Sequence, residues 1–251
     1  MVSIPALLVA IVVGCAVIAV VARPVSTFAR RYVSNLERAE APTASSSPGG
    51  ITTEPGTFRA QWLLRPASQG VLATILCGVT LMRGAAGGAW GEVIVALPLV
   101  ALLGAACSVD AVCHRLPNRL LGAAAIWLGA ALIVRAAAGL VTGPAARAGA
   151  PPVRAVLCAL GIGGAVLILA LLPSGLGMGD VKLCALTGLW LGPLGWGVAL
   201  SGVLAGVVLA GLSAIVLMAA RVVGRKQMIA MGPHLIMGAW LAWLLAVRTG
   251  A

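Results

Sequence analysis

Two aspartates are the residues of this sequence whose type and position point to chemistry. They are the only aspartates among 251 residues, and the chain has six acidic residues in all. Asp110 begins the stretch Asp-Ala-Val-Cys-His-Arg-Leu-Pro-Asn, and Asp180 ends the stretch Gly-Leu-Gly-Met-Gly-Asp. Each lies where a long apolar run meets a short polar break. An ionisable side chain at the centre of a membrane helix costs about 2.5–3.5 kcal/mol, so each aspartate is a candidate functional residue.

A pair of carboxyls contributed by different helices has a specific chemical use. The two groups cannot both ionise cheaply when they are close together, so they share one proton near neutral pH. The ionised member can activate a water molecule while the protonated member polarises a peptide carbonyl, and the roles then reverse to protonate the leaving amine. This is the chemistry of aspartic proteases. It requires no metal and no cofactor.

The composition indicates that the solvent of this chain is a lipid bilayer. Hydrophobic residues make up 61% of the chain, charged residues 9%, and the mean hydropathy is +1.09. The sequence therefore predicts an all-α, polytopic integral membrane helical bundle with about six to eight transmembrane helices, because one span needs about 20 apolar residues. The clearer apolar runs are 4–22, 90–109, 120–141, 153–172 and 198–220, and the weaker ones are 68–82, 183–196 and 232–247.

The net charge of +11 reflects membrane topology in our interpretation, because the basic residues cluster at the ends of apolar runs. We therefore expect no nucleic-acid partner. With the N-terminus outside, 12 of the 17 lysines and arginines fall in cytoplasmic segments, as the positive-inside rule requires. These segments are residues 23–67, 110–119, 173–182 and 221–231. This orientation places both aspartates at the cytoplasmic face of the cell membrane.

The chain reads as a single membrane domain over residues 1–251. Its main interruption is a predicted cytoplasmic loop over residues 23–67, which is flexible and of low complexity around residues 40–58. The six cysteines form no Cys-x-x-Cys pair, so neither a zinc site nor a disulfide framework is indicated.

Glycines and a proline shape the sequence around both aspartates. Gly175, Gly177 and Gly179 alternate before Asp180, which lets the backbone turn tightly and approach a neighbouring helix or an extended substrate. A phosphate-binding loop would need a preceding strand, and none is predicted. After Asp110, the run from His114 to Asn118 breaks one helix and starts the next.

These motifs together resemble the type IV prepilin peptidase family, which are membrane aspartic proteases of the Gly-x-Gly-Asp class. The resemblance rests on an Asp followed by a basic stretch and Leu-Pro-Asn, on Gly-Met-Gly-Asp-Val-Lys, and on Ile-Ala-Met-Gly-Pro-His-Leu at residues 229–235. It covers residues 90–245, which we take as the peptidase core. It implies that Asp110 and Asp180 are the catalytic pair.

The resemblance also implies a substrate and supporting residues. Gly177 and Gly179, with Pro117 and Asn118, are expected to shape the loops at the site. Family members remove the short basic leader of type IV pilin and pseudopilin precursors at the cytoplasmic membrane face, just after a glycine. The expected partners are therefore a prepilin or pseudopilin precursor and the lipid bilayer. Many members also carry a zinc-binding insert and an N-methyltransferase activity, but residues 23–67 contain no cysteine.

Other readings of the same residues stay open from the sequence. Both aspartates could be helix-terminus carboxylates paired with Arg115 and Lys182, and Lys182 fits an interfacial lysine that supports the site without taking part in the reaction. A different functional class is a membrane transporter or channel in which the carboxylate pair couples to protons or cations. A structural subunit of a pilus machine would leave the pair unexplained. Presenilin-type proteases would show Pro-Ala-Leu near the C-terminus, where this chain has Gly-Pro-His.

Overall fold

The fold is a bundle of α-helices. The computed structural model describes residues 4–40, 61–142, 150–172, 176–221 and 230–249, and these contain no strand. Six of the described helices are long and apolar enough to cross a membrane. The prediction of an all-α membrane bundle is therefore confirmed, and the chain is a multi-pass membrane protein. The low-complexity stretch of the predicted loop, residues 41–58, lies outside the described residues.

Each apolar run of the sequence coincides with a helix. The α-helices in chain order are α1 (Ile4–Val20), α2 (Ser26–Glu40), α3 (Pro66–Gly87), α4 (Trp90–Cys113), α5 (Asn118–Thr142), α6 (Ala150–Leu171), α7 (Met178–Leu191), α8 (Trp196–Ala219) and α9 (Gly232–Thr249). The weak run 68–82 belongs to the 22-residue helix α3, while α7, with 14 residues, is shorter than the other apolar helices.

The N-terminal helix continues into the segment that the sequence predicted as a loop. A turn of π-helix, Val21–Val25, joins α1 to α2 and contains Pro24, which has no backbone N–H to donate. The Ser26 hydroxyl donates to the carbonyl of Ala22 at 2.9 Å, so a side chain satisfies a carbonyl in this irregular turn. The predicted loop 23–67 is therefore helical over Ser26–Glu40. The hydropathy falls after residue 22, but the chain stays helical from Ile4 to Glu40.

Helix α4 forms the centre of the bundle and carries Asp110 in its last turn. It packs against α1, α3, α5 and α9, and most of its length is buried. Helix α2 reaches the same end of α4, where its apolar residues cluster with Val109 and Val112. The helix ends at His114, which has a left-handed φ of 50° and donates its N–H to the Asp110 carbonyl at 2.8 Å. The position of Asp110 is thus fixed by its backbone as well as by packing.

Glycines let two helix pairs approach very closely. Between α6 and α7, a Cβ on Gly188 would lie 2.7 Å from the carbonyl oxygen of Cys158. Between α8 and α9, a Cβ on Gly238 would overlap the backbone nitrogen of Gly206 and lie 2.6 Å from the carbonyl oxygen of Gly202. Small residues of this kind are typical of membrane helix interfaces, where dispersion contacts drive association. These two contacts hold α7 and α9 against their neighbours, and the first turns of α7 and α9 belong to the candidate site.

Replacing Gly238 tests the α8–α9 contact. We expect Gly238→Leu to lower the thermal unfolding temperature in detergent clearly, because the new side chain meets backbone atoms that cannot move aside, and overpacking costs about 1–3 kcal/mol or more. Gly211→Leu on α8 is the matched control, since a Cβ at Gly211 meets open space. Equal unfolding temperatures for the two variants would contradict this packing.

Candidate active site

Asp110 is a buried carboxyl that is held by the backbone of another helix. Its side chain belongs to a residue that is 5% exposed, and Oδ2 accepts the N–H of Gly232 at 3.1 Å. Asp110 lies in the last turn of α4, where the helix dipole disfavours negative charge. Gly232 is the first residue of α9, and helix N-termini favour negative charge because their N–H groups are free to donate. The N-terminus of α9 therefore stabilises the Asp110 carboxyl, whereas the dipole of α4, which carries Asp110, does not.

The contact between Asp110 and α9 requires glycine at position 232. A Cβ there would lie 2.6 Å from Asp110 Oδ2 and 3.4 Å from Leu116 Cδ2. Gly232 belongs to the motif at residues 229–235, but the sequence alone predicted no role for it in the site. A glycine followed by proline at the start of an apolar run was the available signal, since proline is favoured in the first turn of a helix.

Asp180 lies in the first turn of α7 and is half-buried. Gly177 precedes the helix with extended backbone, and its carbonyl accepts the Asp180 N–H at 3.0 Å. The Gly177 N–H in turn donates to the Asp180 carboxyl, as in a capping box. Asp180 lies just before the apolar run 183–196. Burial raises the pKa of its carboxyl, and the hydrogen bond from Gly177 partly opposes that rise. A raised pKa lets this carboxyl keep its proton to a higher pH than a free aspartate does.

The fold brings the two carboxyls into the same site. Asp110 and Asp180 lie close enough for their charges to interact. Leu116, in the link between α4 and α5, packs beside both helix starts, because a Cβ on Gly179 would lie 3.1 Å from its Cδ1. Sequence reasoning did not identify Leu116 as a site residue. Its side chain restricts the room beside Gly179 and Gly232 together.

Pro117, Asn118 and Lys182 have structural contacts at the edge of the site. Pro117 is fully buried, and its carbonyl accepts the N–H of Leu120 at 3.0 Å as α5 begins. Asn118 is exposed, and its Oδ1 accepts a hydrogen bond from Lys182 Nζ at 3.0 Å. This bond joins the start of α5 to the first turns of α7. Lys182 therefore supports the position of α7 from the surface.

Two histidines surround Asp110. His114 and His234 both lie near its carboxyl. His234 is held by two hydrogen bonds, one between Nε2 and the Ser213 hydroxyl at 2.6 Å and one between Nδ1 and the carbonyl of Ala230 at 3.1 Å. Because a carbonyl can only accept, Nδ1 carries a proton. Within the described ranges, no group of three or more His, Cys, Asp or Glu residues is arranged to hold a metal ion.

The opposite end of α7 is fixed as well. Arg154, near the start of α6, donates to the carbonyl oxygen of Gly192 at 2.7 Å and to that of Pro193. Arginine near a helix C-terminus satisfies carbonyls that have no partner within the helix. Helix α7 is therefore restrained at both ends, which limits movement of Asp180 along the bundle axis.

The site thus combines two interacting carboxyls with two glycine-initiated helices at one end of the bundle. Such a pair can take up and release one proton between its members, which is general acid–base chemistry. Comparison of the chain with protein-family models, with curated proteins and with solved structures finds no match.

Proposed function

We propose that this protein is a prepilin leader peptidase, an aspartic endopeptidase that cuts the leader from type IV pilin or pseudopilin precursors at the cytoplasmic face of the membrane. One observation carries the proposal. Asp110 and Asp180 are 70 positions apart in the sequence but lie at the same end of the bundle, where Leu116 packs beside both helix starts. These are the only two aspartates of the chain, and a bilayer protein carries ionisable side chains near its membrane-spanning helices at an energetic cost. Function explains that cost.

The proposed reaction is hydrolysis of one peptide bond. The ionised carboxyl removes a proton from water, and the resulting hydroxide attacks the carbonyl carbon. The protonated carboxyl donates a hydrogen bond to the carbonyl oxygen and stabilises the negative charge that develops there. The tetrahedral intermediate then breaks its C–N bond, and the amine nitrogen leaves with a proton from the carboxyl pair. The products are a carboxylic acid and an amine, and the pair is left with one shared proton.

The surroundings of the pair favour a peptide substrate. Gly177, Gly179 and Gly232 all lie within a few residues of a carboxyl or in contact with one, and glycine allows another backbone to approach closely. The two carboxyls lie in the last turn of α4 and the first turn of α7, at the same end of the bundle. A proton or cation relay is expected near the bilayer midplane. The end-of-helix position therefore supports a surface-facing protease over the transporter alternative.

Removing either carboxyl charge tests the proposal directly. We expect Asp110→Asn and Asp180→Asn each to lower cleavage of a prepilin-like peptide by about 100-fold or more, because each loses a proton-transfer group. The measurement is the initial rate with purified protein in detergent. Residual activity above about a tenth in either variant is incompatible with a shared catalytic pair. Proton flux in liposomes without peptide cleavage would favour the transporter.

We expect alanine substitutions of the site glycines to lower the cleavage rate in the order of the space around each glycine. Gly232→Ala should reduce cleavage most, by about 100-fold, because its Cβ would lie 2.6 Å from Asp110 Oδ2 and a displacement of ~1 Å can have that effect. Gly179→Ala, with 3.1 Å to Leu116, should follow, and Gly177→Ala, with 3.5 Å to Asp180 Oδ2, should have the weakest effect. Rates are compared with those of Gly211→Ala, which meets open space.

The contact between Gly179 and Leu116 can be tested with a second substitution that restores activity. Because a Cβ on Gly179 meets only the Leu116 side chain at close range, Leu116→Ala should restore part of the activity lost in Gly179→Ala. The same change should not rescue Gly232→Ala, which meets Asp110 itself. A rank order unrelated to these distances, or rescue of both variants alike, would show that steric room does not govern the site.

The membrane orientation has its own test. In a cysteine-free background, we expect Ser46→Cys to react with a membrane-impermeant thiol reagent only in inverted vesicles or permeabilised cells. Ala86→Cys, exposed near the end of α3, is the control for the opposite side and should react in intact cells. The reverse pattern would place both carboxyls at the outer face, where a cytoplasmic leader could not reach them.

A further inference from the structure

His234, in the first turn of α9, is held in place beside the carboxyl site. It follows by two positions Gly232, whose N–H donates to the Asp110 carboxyl. Its ring is joined to α8 by the hydrogen bond of 2.6 Å between Nε2 and the Ser213 hydroxyl. Its backbone is packed against α8 as well, because a Cβ on Gly206 would lie 3.1 Å from the His234 carbonyl oxygen. Both the ring and the backbone of His234 are therefore fixed.

The hydrogen bonds of this ring determine where its protons lie. Nδ1 is 3.1 Å from the carbonyl oxygen of Ala230, and a carbonyl can only accept, so Nδ1 carries a proton. The Ser213 hydroxyl is 2.6 Å from the carbonyl oxygen of Leu209, and for the same reason its single proton points to Leu209. That proton cannot also lie along the contact with His234. Nε2 must therefore donate to Ser213 Oγ.

Both ring nitrogens then carry a proton, which makes the ring an imidazolium cation. A neutral ring with a proton on Nδ1 alone would require Ser213 to donate to Nε2. The Ser213 oxygen would then lie 2.6 Å from the Leu209 carbonyl oxygen with no proton between them. Two oxygens at that distance are favourable only when one donates to the other. The cation is the form of the ring that satisfies all three contacts.

The other cations at this end of the bundle face water. Helix α9 packs against α3, α4, α7 and α8. Among the described residues, the charged side chains at the near ends of these helices and next to them are Arg65, Asp110, His114, Asp180, Lys182 and Arg221. The thiols there, of Cys107, Cys113 and Cys184, are uncharged near neutral pH. The two arginines, Lys182 and His114 are exposed, so solvent and salt screen their charges, whereas His234 is half-buried.

A positive charge in the first turn of α9 requires a negative group nearby. The N-terminus of a helix disfavours cations, because its free N–H groups already carry partial positive charge. Asp110 is the acidic residue that contacts this helix start, through the N–H of Gly232 at 3.1 Å. A buried charge is strongly destabilising when it has no partner. The cation and a carboxylate at the start of α9 therefore stabilise one another.

We propose that His234 is a positioning residue whose fixed positive charge stabilises the carboxyl pair, Asp110 and Asp180, in its singly ionised form. The role in cleavage rests on the proposed function, whereas the charge itself does not. The singly ionised pair and the imidazolium together carry no net charge, which lowers the cost of holding a carboxylate at a buried site. Ser213 acts through His234, because its oxygen accepts the second ring proton.

The protonation of His234 can be measured on the full wild-type chain in detergent. The chain contains two histidines, so 15N-labelled histidine gives ring signals from His114 and His234 alone, and His114→Gln assigns them. We expect both ring nitrogens of His234 to show the chemical shift of a protonated nitrogen near neutral pH. A ring nitrogen without a proton resonates far from a protonated one. A signal of that kind from His234 would overturn the proposal.

The effect of the charge on the pair is measured in the same way. The chain has two aspartates, so 13C-labelled aspartate carboxyls report only on the pair. We expect His234→Gln to move the first ionisation of the pair to higher pH by about half a unit or more, because the amide can still donate to Ser213 but carries no charge. His234→Lys restores a cation and should reverse much of the shift. An unchanged titration in His234→Gln would contradict the proposed stabilisation.

Ser213→Ala tests the hydrogen bond that fixes the charge. It removes the acceptor of the Nε2 proton, so we expect a shift in the same direction as for His234→Gln, and a smaller one. Ser201→Ala is the matched control, because this exposed serine of α8 also bonds a backbone carbonyl, that of Val198 at 3.0 Å, and lies near the start of the helix. Equal shifts in the two serine variants would exclude a specific role of Ser213.

Cleavage rates provide a readout that a purely structural role would not change. The rate rises with pH as the pair loses its first proton, so this acid limb should move to higher pH in His234→Gln by the shift that the carboxyl signals give. In His234→Lys the limb should return toward its wild-type position even if the maximal rate is low. A rate lowered equally at every pH would indicate a structural role and overturn the proposal.

These measurements separate the inference from the proposed function. If the wild type cuts a prepilin-like peptide but the carboxyl titration does not depend on His234, the peptidase is retained and the role of His234 is withdrawn. If the wild type cuts no such peptide, the peptidase is withdrawn, and the histidine and carboxyl signals still decide whether His234 is the cation of the pair. Neither signal requires turnover.

Discussion

The structure depends on the interaction that stabilises the Asp110 carboxyl at the C-terminal end of the buried helix α4. Asp110 is 5% exposed and lies at the negative end of the α4 dipole. Both the burial and the dipole disfavour the ionised form of its carboxyl. The N–H of Gly232 offsets this, and it can do so only because α9 begins where α4 ends. That arrangement in turn requires the close crossing of α8 and α9 at Gly206 and Gly238. The local chemistry of one carboxyl is thus tied to helix packing two turns away.

Asp180 meets the same constraint by a local route. It lies in the first turn of its own helix, where the dipole favours negative charge and where the Gly177 N–H is close. The two carboxyls therefore differ in what supports them, one by a neighbouring helix and one by its own. A pair with unequal surroundings can divide a single proton unequally, which is the condition for separate acid and base roles. The difference arises from topology, because α4 ends and α7 begins at the same end of the bundle.

The elements of the fold could be predicted from the sequence, and the contacts of the site only in part. Apolar run length is a local property, so even the weak runs near Ser68 and Leu183 correspond to helices. The prediction of a loop from Arg23 onward was wrong over Ser26–Glu40, because a helix can continue into polar sequence when side chains such as that of Ser26 satisfy its carbonyls. The bond from Gly232 to Asp110 joins positions 122 residues apart, and no local pattern encodes such a distance.

Long cationic side chains join helices at both ends of the bundle, but Asp110 itself is held by a backbone group. At the end away from the carboxyls, long cationic side chains join the helices: Arg135 pairs with Glu92 at 2.5 Å, and Arg154 donates to the end of α7. Such side chains occupy the space between helix ends. At the carboxyl end, Lys182 likewise joins α7 to α5, but the hydrogen bond to the Asp110 carboxyl comes from the backbone of Gly232, beside the Leu116 side chain. Backbone contacts leave room where side chains would fill it. On the proposed function, an extended peptide backbone would approach the carboxyls at this end, where Gly232 and Gly179 carry no side chain.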